Sequence, residues 1–279
     1  MTIKITWMGT ASYILSLNGT NLLFDPFFSR NDFAEPKLTT QKEDIDNISA
    51  VFVSHGHYDH SCDAGWFAEN LDVPVYCSET AKQNIINWAE GNIIESHTET
   101  LSERAKNKIK VGNFYDKIKI SEEVTVEFIK SEHINFDLKT ILSRVFSWQF
   151  LKQAKSLLPY GKGFPAGNVF GFCVYFNNIK IVSFGSLWHK YEEELQKFQP
   201  CDIFIVPYAG NSNRHMVKKT AKMIEVLHPK IVIPHHWDNF MPPISRTENL
   251  DPFIKFMTKN FPQIEILLPS FDEEITINI

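Results

Sequence analysis

The sequence predicts a single domain of mixed α and β structure. Short apolar runs rich in valine and isoleucine recur along the chain, bounded by glycine, proline and asparagine, as is typical of strands. Segments of helical character lie between these runs, and no linker, low-complexity tract or internal repeat separates them. With 279 residues and 43% hydrophobic composition, the chain can bury one full core.

The elements follow in order from these runs. Asn18-Gly19 separates two alternating apolar segments and predicts a hairpin near the N-terminus. Ser78 is a suitable N-cap for a helix that continues to about Trp88. Further strands are predicted at 51–53, 73–77, 93–95, 117–120, 124–129, 170–176, 179–184, 203–207 and 231–233, and further helices at about 191–198 and 218–227.

The run HGHYDH at residues 55–60 follows the apolar segment 51–53 directly, so it lies where a buried strand ends. Its three imidazoles and one carboxylate are donors that suit zinc, manganese or iron. His55 and His57 are two residues apart, so in extended backbone their side chains point the same way and can share one ion. Asp59 and His60 follow after a turn, placed for a second ion. The pattern predicts a metal site rather than a surface loop that is merely rich in histidine.

The HxHxDH pattern resembles the metallo-β-lactamase superfamily, in which the two halves of the motif supply two metal sites. The resemblance implies an α+β fold, a four-layer αββα sandwich, over residues 1–279. It also implies His133 as the third ligand of the first ion, although on its own that residue would be read as a partly buried structural histidine. His236 is implied as the last ligand of the second ion, with the adjacent His235 as the alternative.

One ligand of the family pattern is replaced. Gly185-Ser186 follows the predicted strand 179–184 where the family carries Gly-Asp, whose carboxylate bridges the two metals. Losing that negative charge predicts one weakened site, and therefore either a single ion or two unequal ones. Asp25, before Pro26, matches a family carboxylate that lies near the metal centre, although Asp-Pro also opens turns.

The opening segment WMGTASYILSLNGTNLLFDPFFS most resembles one branch of the superfamily. That branch includes the ascorbate-6-phosphate lactonases and the N-acyl phosphatidylethanolamine phospholipases. The similarity implies a lactonase-like activity on a sugar lactone as an alternative to hydrolysis of an apolar substrate.

A helical insert is predicted at about 135–164, beside the mouth of the metal site because it follows His133 immediately. Its apolar residues, including Phe146 and Trp148, exceed one helical stripe. The segment is therefore interpreted either as an outer helix packed on the sandwich or as the wall of an apolar substrate pocket. Four basic residues alternate with the apolar ones and leave contact with a membrane surface as a third interpretation: Lys139, Arg144, Lys152 and Lys155.

Composition bounds the function further. A net charge of −5 and a pI near 6.1 argue against a nucleic-acid partner. The four cysteines form no CxxC pair, which is typical of free thiols in a reducing cytoplasm. Cys62 is interpreted as a small buried hydrophobe rather than a ligand. The N-terminus lacks the features of a signal peptide and no long apolar run occurs, so a cytoplasmic location is predicted.

These observations predict a metal-dependent hydrolase with one or two divalent ions, zinc first, with manganese or iron as alternatives. A bound dication generates hydroxide near neutral pH. Asp59 is predicted to accept the proton of that water, and His236 or His235 to bind metal or stabilise the oxyanion. The substrate is expected to be a small, apolar ester, lactone or phosphodiester. A protein of another class, one that binds metal without turnover, is the remaining alternative.

Overall fold

Two mixed seven-stranded β-sheets form the centre of the molecule, as seen in a computed structural model. The structure describes residues 2–94, 97, 100–135, 159–186 and 192–278. The first sheet has the order β14-β1-β2-β3-β4-β5-β6, with bounds Glu274–Ile277, Ile3–Trp7, Tyr13–Leu17, Thr20–Phe24, Ala50–Phe52, Val75–Cys77 and Ile109–Val111. The second has the order β13-β12-β11-β10-β9-β8-β7, with bounds Glu265–Ile266, Ile231–His235, Ile203–Pro207, Ile179–Phe184, Val169–Phe176, Val124–Ser131 and Lys117–Lys119.

The sheets pack face to face, and helices cover their outer faces. Alternating residues of β1 and β2 are buried, as expected for strands that turn one face to a core. These side chains meet the inner face of the second sheet in one apolar cluster. The helices outside the sheets are Tyr58–Ser61, Ala64–Asn70, Glu79–Ala89, Glu103–Lys108, Glu192–Gln196, Asn213–Leu227 and Asp251–Asn260, with a 3₁₀ turn at Lys42–Asp44. The predicted αββα sandwich is confirmed.

Phenylalanine fills much of the space between the sheets. Phe24 and Phe52 of the first sheet lie with ring centroids 5.4 Å and 5.6 Å from Phe172 of the second. Phe128 adds an edge contact at 5.4 Å from Phe172. Such ring pairs are worth about 0.5–1.5 kcal/mol beyond their area burial. Part of the high phenylalanine content is therefore explained by the core.

Several strands end at one edge of the sandwich. β3 and β4 run parallel, as do β10, β11 and β12. β8 runs in the same direction as β10, because both pair antiparallel with β9. The carboxyl ends of these strands therefore lie together, and the segments that follow them carry the predicted site residues Asp25, His55, His133, Ser186 and His236. This edge is where a site can form.

The Asn18-Gly19 hairpin is confirmed, with Leu17 opposite Thr20 and positive φ at both turn residues. The predicted strand at 93–95 is wrong: Ile93 and Ile94 lie in irregular backbone, where they pack on an aromatic cluster. Their apolar character covers that cluster and does not form a sheet. The predicted helix at 218–227 begins earlier, at Asn213.

Some elements were not predicted. The helix Glu103–Lys108 has a local signal, because the hydroxyl of Ser102 accepts a hydrogen bond from the backbone N–H of Ala105.

Of the predicted insert at 135–164, residues 136–158, with Phe146 and Trp148, lie outside the described residues. Among the helices that the structure describes, none has the length and apolarity to cross a bilayer.

Candidate metal centre

The HGH segment leaves β4 and is fixed by hydrogen bonds to its backbone. The Gly56 N–H donates to the Ala166 carbonyl at 2.8 Å, and Asn84 Nδ2 donates to the Gly56 carbonyl at 2.7 Å. Asn84 also donates to the Pro165 carbonyl at 2.9 Å. A Cβ atom at Gly56 would collide with Pro165 and Asn84, so this close approach requires glycine. The two flanking histidines are thus held at a fixed point of the edge.

His55, His57 and His133 form the first donor cluster, with one ring nitrogen of each within 4.8 Å of the others. His55 Nε2 and His57 Nδ1 are 3.1 Å apart. His133 Nδ1 lies 2.8 Å from the carbonyl of Ile134, to which it can donate, so its Nε2 is available as a donor atom. The sequence predicted these three residues as ligands of one ion, and the structure brings them together.

Asp59, His60 and His236 form the second cluster. The chain turns at His57, the N-cap of the helix Tyr58–Ser61, so Asp59 and His60 project from a helical turn. Asp59 Oδ2 lies 3.5 Å from His60 Nε2 and 3.6 Å from His236 Nε2. These separations leave room for a cation between the three groups.

His236, not His235, belongs to this cluster. His235 is the last residue of β12, and its Nε2 lies 3.0 Å from the Phe184 carbonyl. Its ring also packs edge-on against Tyr13. His236 has a left-handed backbone with φ of 59°, which turns its side chain to the other side of the chain. Of the two adjacent histidines, His235 therefore packs in the core and His236 belongs to the second cluster.

Burial lowers the pKa of most imidazoles in the two clusters. Burial and the neighbouring imidazoles of His57 and His60 together lower the pKa of His133 to about 4. Burial and nearby imidazoles also hold the pKa values of His55 and His236 well below the ordinary range. A neutral imidazole presents the lone pair that a metal ligand needs.

Asp25 orients His60 from behind. It is 2% exposed, and its Oδ2 lies 2.8 Å from His60 Nδ1, so His60 turns Nε2 toward the cluster. The Ser54 N–H and Oγ donate to the two carboxylate oxygens at 2.6 Å each. Burial lowers the pKa of His60, but Asp59 and Asp25 raise it more strongly, so the net shift is upward. A carboxylate behind a histidine is a common outer-shell partner of a metal ligand.

Ser186 is buried and lines a cavity that residues of both clusters also line. Its Oγ accepts a hydrogen bond from the Ile134 N–H at 2.9 Å. Gly185 before it packs so closely on Ser54 and Asp25 that a Cβ atom would collide with both. The strand end thus fits against the Asp25 network, but it contributes a hydroxyl where the family pattern has a carboxylate. Cys62 belongs to neither donor cluster and packs with aromatic side chains.

The donor set fits a divalent transition metal. Five imidazoles and one carboxylate occupy the two clusters, and these nitrogen and oxygen donors suit zinc, manganese and iron. The first cluster has no charge of its own, whereas the second contains Asp59 and is backed by Asp25. The two clusters are therefore chemically unlike.

Both clusters border one cavity of about 310 Å³. Part of its lining lies in segments that the sequence singled out: Tyr58 in the HGHYDH motif, and Tyr160 and Phe164 at the end of the predicted insert 135–164. Sequence reasoning missed the other walls, because the residues come from distant segments and carry no local signal. The remaining apolar lining includes Ile134, Phe240, Met241 and Ile244. The arrangement places polar donors at one part of an otherwise largely apolar chamber.

Known proteins are similar in sequence over most of the chain. A UPF0173 metal-dependent hydrolase of Pyrococcus furiosus is 25% identical over 245 residues, which cover 87% of this chain and 88% of the relative. A similarly named protein of Methanopyrus kandleri is 22% identical over 246 residues, 88% of this chain and 87% of the relative. The predicted hydrolase class agrees with these names.

Solved structures share the architecture at lower identity. Igni18, a metallo hydrolase from Ignicoccus hospitalis, superposes with a TM-score of 0.65 at 12% identity and covers all of both chains. An isothiocyanate hydrolase from Delia radicum gut bacteria has a TM-score of 0.60 at 18% identity, covering 98% of this chain and 99% of that one. Residues 4–236 match the beta-lactamase superfamily domain, and the chain belongs to that family.

Proposed function

We propose that the protein is a hydrolase in which His55, His57 and His133 hold one divalent ion and Asp59, His60 and His236 hold a second. Zinc is the first expectation, with manganese or iron as alternatives, because imidazole and carboxylate suit all three. The observation that carries the proposal is that both clusters open into one cavity with apolar walls. Histidine and aspartate clusters with a purely structural role would not need to border a cavity.

When bound, a dication supplies a water of lowered pKa and polarises the substrate oxygen. The side chains do the remaining work. Asp59, bordering the cavity, accepts the proton of the attacking water. His236 Nε2 lies 3.6 Å from Asp59 Oδ2, where it would either hold the second ion or stabilise the developing oxyanion. Asp25 keeps His60 oriented throughout.

The bond cleaved is an ester, a lactone or a phosphodiester in a small, partly apolar molecule. Phe164 and Ile244 line the cavity and would cover the non-reacting part of such a substrate. A sugar lactone, as in the lactonase branch, would gain little from these walls. A screen of aryl esters, lactones and phosphodiesters with metal-loaded protein tests the proposal, and metal-bound protein that turns over none of them would favour the non-catalytic alternative.

The first prediction concerns metal retention. The double variant His55→Ala with His57→Ala should lose at least one ion, because two of the three donors of the first cluster are removed. Elemental analysis after chelation and dialysis measures this, and circular dichroism should show an intact fold because the core lies between the sheets. His215→Ala, at an exposed histidine, serves as the control. Full metal content in the double variant would rule out the assignment.

The second prediction concerns stoichiometry. Because Ser186 carries no charge, the two ions should differ in affinity, and one should be lost to a weak chelator. Ser186→Asp should tighten the weaker site on the order of tenfold, the scale on which changes around a metal act. Ser186→Ala is the matched control and should not tighten it. Calorimetry that finds two equally tight ions in the wild type would contradict the prediction.

The third prediction concerns the carboxylate behind His60. Asp25→Asn should weaken the second ion by about 10–100-fold and the first ion less, because Asp25 contacts His60 directly but reaches His55 only through Ser54 Oγ. Asparagine tolerates the positive φ of 42° at this position, so the backbone should be retained. Asp46→Asn, at an exposed aspartate, controls for charge alone. Equal loss of both ions would show that Asp25 is required for the fold and not for one site.

The fourth prediction concerns the apolar wall. Each buried methylene contributes about 0.8 kcal/mol, so each carbon added to the acyl chain should raise kcat/KM about fourfold while it is still buried by the wall. Ile244→Ala should flatten this trend without changing the metal content. Ile254→Ala, at a partly buried isoleucine of the helix Asp251–Asn260, is the control. Indifference of the trend to Ile244→Ala would remove the wall from substrate binding.

A further inference from the structure

Arg246 contributes a cation to the same cavity that the two donor clusters border. Its side chain is 51% exposed, so solvent and ligands can reach it. The proposed chemistry makes no use of this group. Its acid partner Glu248 also lines the cavity, and most of the remaining lining is apolar, so the Arg246–Glu248 pair is a specific polar feature of the chamber.

The segment 237–248 holds Arg246 in a defined place relative to His236. The Glu248 N–H donates to the Trp237 carbonyl at 2.7 Å and closes the segment at its base. Inside it, Ser245 Oγ donates to Asn239 Oδ1 at 2.9 Å and accepts from the Met241 N–H at 2.5 Å. One preorganised loop therefore links a proposed metal ligand to the guanidinium.

This loop is also tied to the N-terminal part of the chain. Glu35 and Asn239 exchange backbone hydrogen bonds at 2.9 Å and 3.0 Å. Arg30 pairs with the buried Asp238 at 2.6 Å. With both attachments, the distance between the donor clusters and Arg246 is set by the fold and not by the ligand.

The guanidinium is held on one side only. Arg246 Nε donates to Glu248 Oε1 at 3.1 Å, and the Glu248 side chain is 5% exposed. Among the residues that the structure describes, the two terminal nitrogens of Arg246 have no further hydrogen-bond partner. These paired N–H groups match the geometry of a carboxylate or a phosphate.

We propose that Arg246 binds an anionic group at the end of the substrate opposite to the bond that is cleaved. The substrate class is then an amphiphile with an apolar middle and a terminal carboxylate or phosphate. This inference rests on the proposed function for the identity of the reacting end. Glu248 fixes the guanidinium and keeps its terminal nitrogens directed to the ligand.

Binding to the metal-loaded protein tests the proposal without any turnover. Calorimetry compares dicarboxylates with monocarboxylates of equal carbon number, such as adipate with hexanoate and suberate with octanoate. One carboxylate can occupy the metal end in either ligand, so the difference reports the second end. The dicarboxylate should bind about fivefold tighter at the best length, as expected for a charge-assisted but half-exposed pair. Comparing 5-phosphonopentanoate with adipate, which has the same four-methylene spacer, distinguishes a phosphate-like from a carboxylate headgroup.

Three variants make the test specific. In Arg246→Gln, the ratio of dicarboxylate to monocarboxylate affinity should fall to about one. The double change of Arg246→Gln and Glu248→Gln should give the same ratio while keeping the net charge of the pair at zero. Arg104→Gln is the matched control, because Arg104 is 53% exposed and also pairs with an acid, but lies away from the cavity. It should retain the preference.

The outcomes separate this inference from the proposed function. The anion site would be overturned if the wild type bound dicarboxylates and monocarboxylates equally tightly at every length. It would also be overturned if tighter binding of the dicarboxylate persisted in Arg246→Gln, even if metal-dependent ester hydrolysis is found. If instead no substrate of the screen is cleaved but the preference depends on Arg246, the anion site stands and the hydrolase proposal fails.

Discussion

The buried carboxylate of Asp25 is the group on which the arrangement of the centre depends. It accepts hydrogen bonds from the Ser54 backbone and hydroxyl, lies 2.8 Å from His60, and is approached by Gly185. It thereby joins the ends of β3, β4 and β10 in two different sheets. A buried charge is costly unless it is fully hydrogen-bonded, so these strand ends have little freedom to separate.

This constraint also explains why the two donor clusters differ. The Asp25 carboxylate contacts His60 of the second cluster directly, but reaches His55 of the first only through Ser54 Oγ, which lies 2.9 Å from His55 Nδ1. His133 of the first cluster is oriented by a backbone carbonyl. Asp59 adds a further negative charge to the second cluster. Among the residues that the structure describes, no carboxylate belongs to both clusters. Charge is therefore concentrated on one half of the centre, and the electrostatic attraction for a dication is unequal.

How much the sequence could predict depended on how local each signal was. The HGHYDH motif and the strands before it were readable because donors and strand lie within a few residues. The choice between His235 and His236 turns on a φ of 59°, which is not visible in a strand pattern. Arg246 meets the site only through tertiary packing, so no spacing indicates it. Ser54 directly precedes the motif, but its contact with Asp25 comes from packing between two strand ends. The missed helix at Asp251–Asn260 did have a signal, an Asp-Pro pair at its first turn.

The proposed chemistry and the proposed substrate selection therefore rest on different parts of the molecule. Donors on or directly after strand ends are fixed by the sheets, while Arg246 and part of the apolar wall come from the segment 237–248. That segment follows His236 and is tied to the N-terminal region through the Arg30–Asp238 pair. Because that pair lies outside the cavity lining, lining side chains of the loop can change without disturbing its attachment. In such a design, one metal centre can serve substrates of different shape.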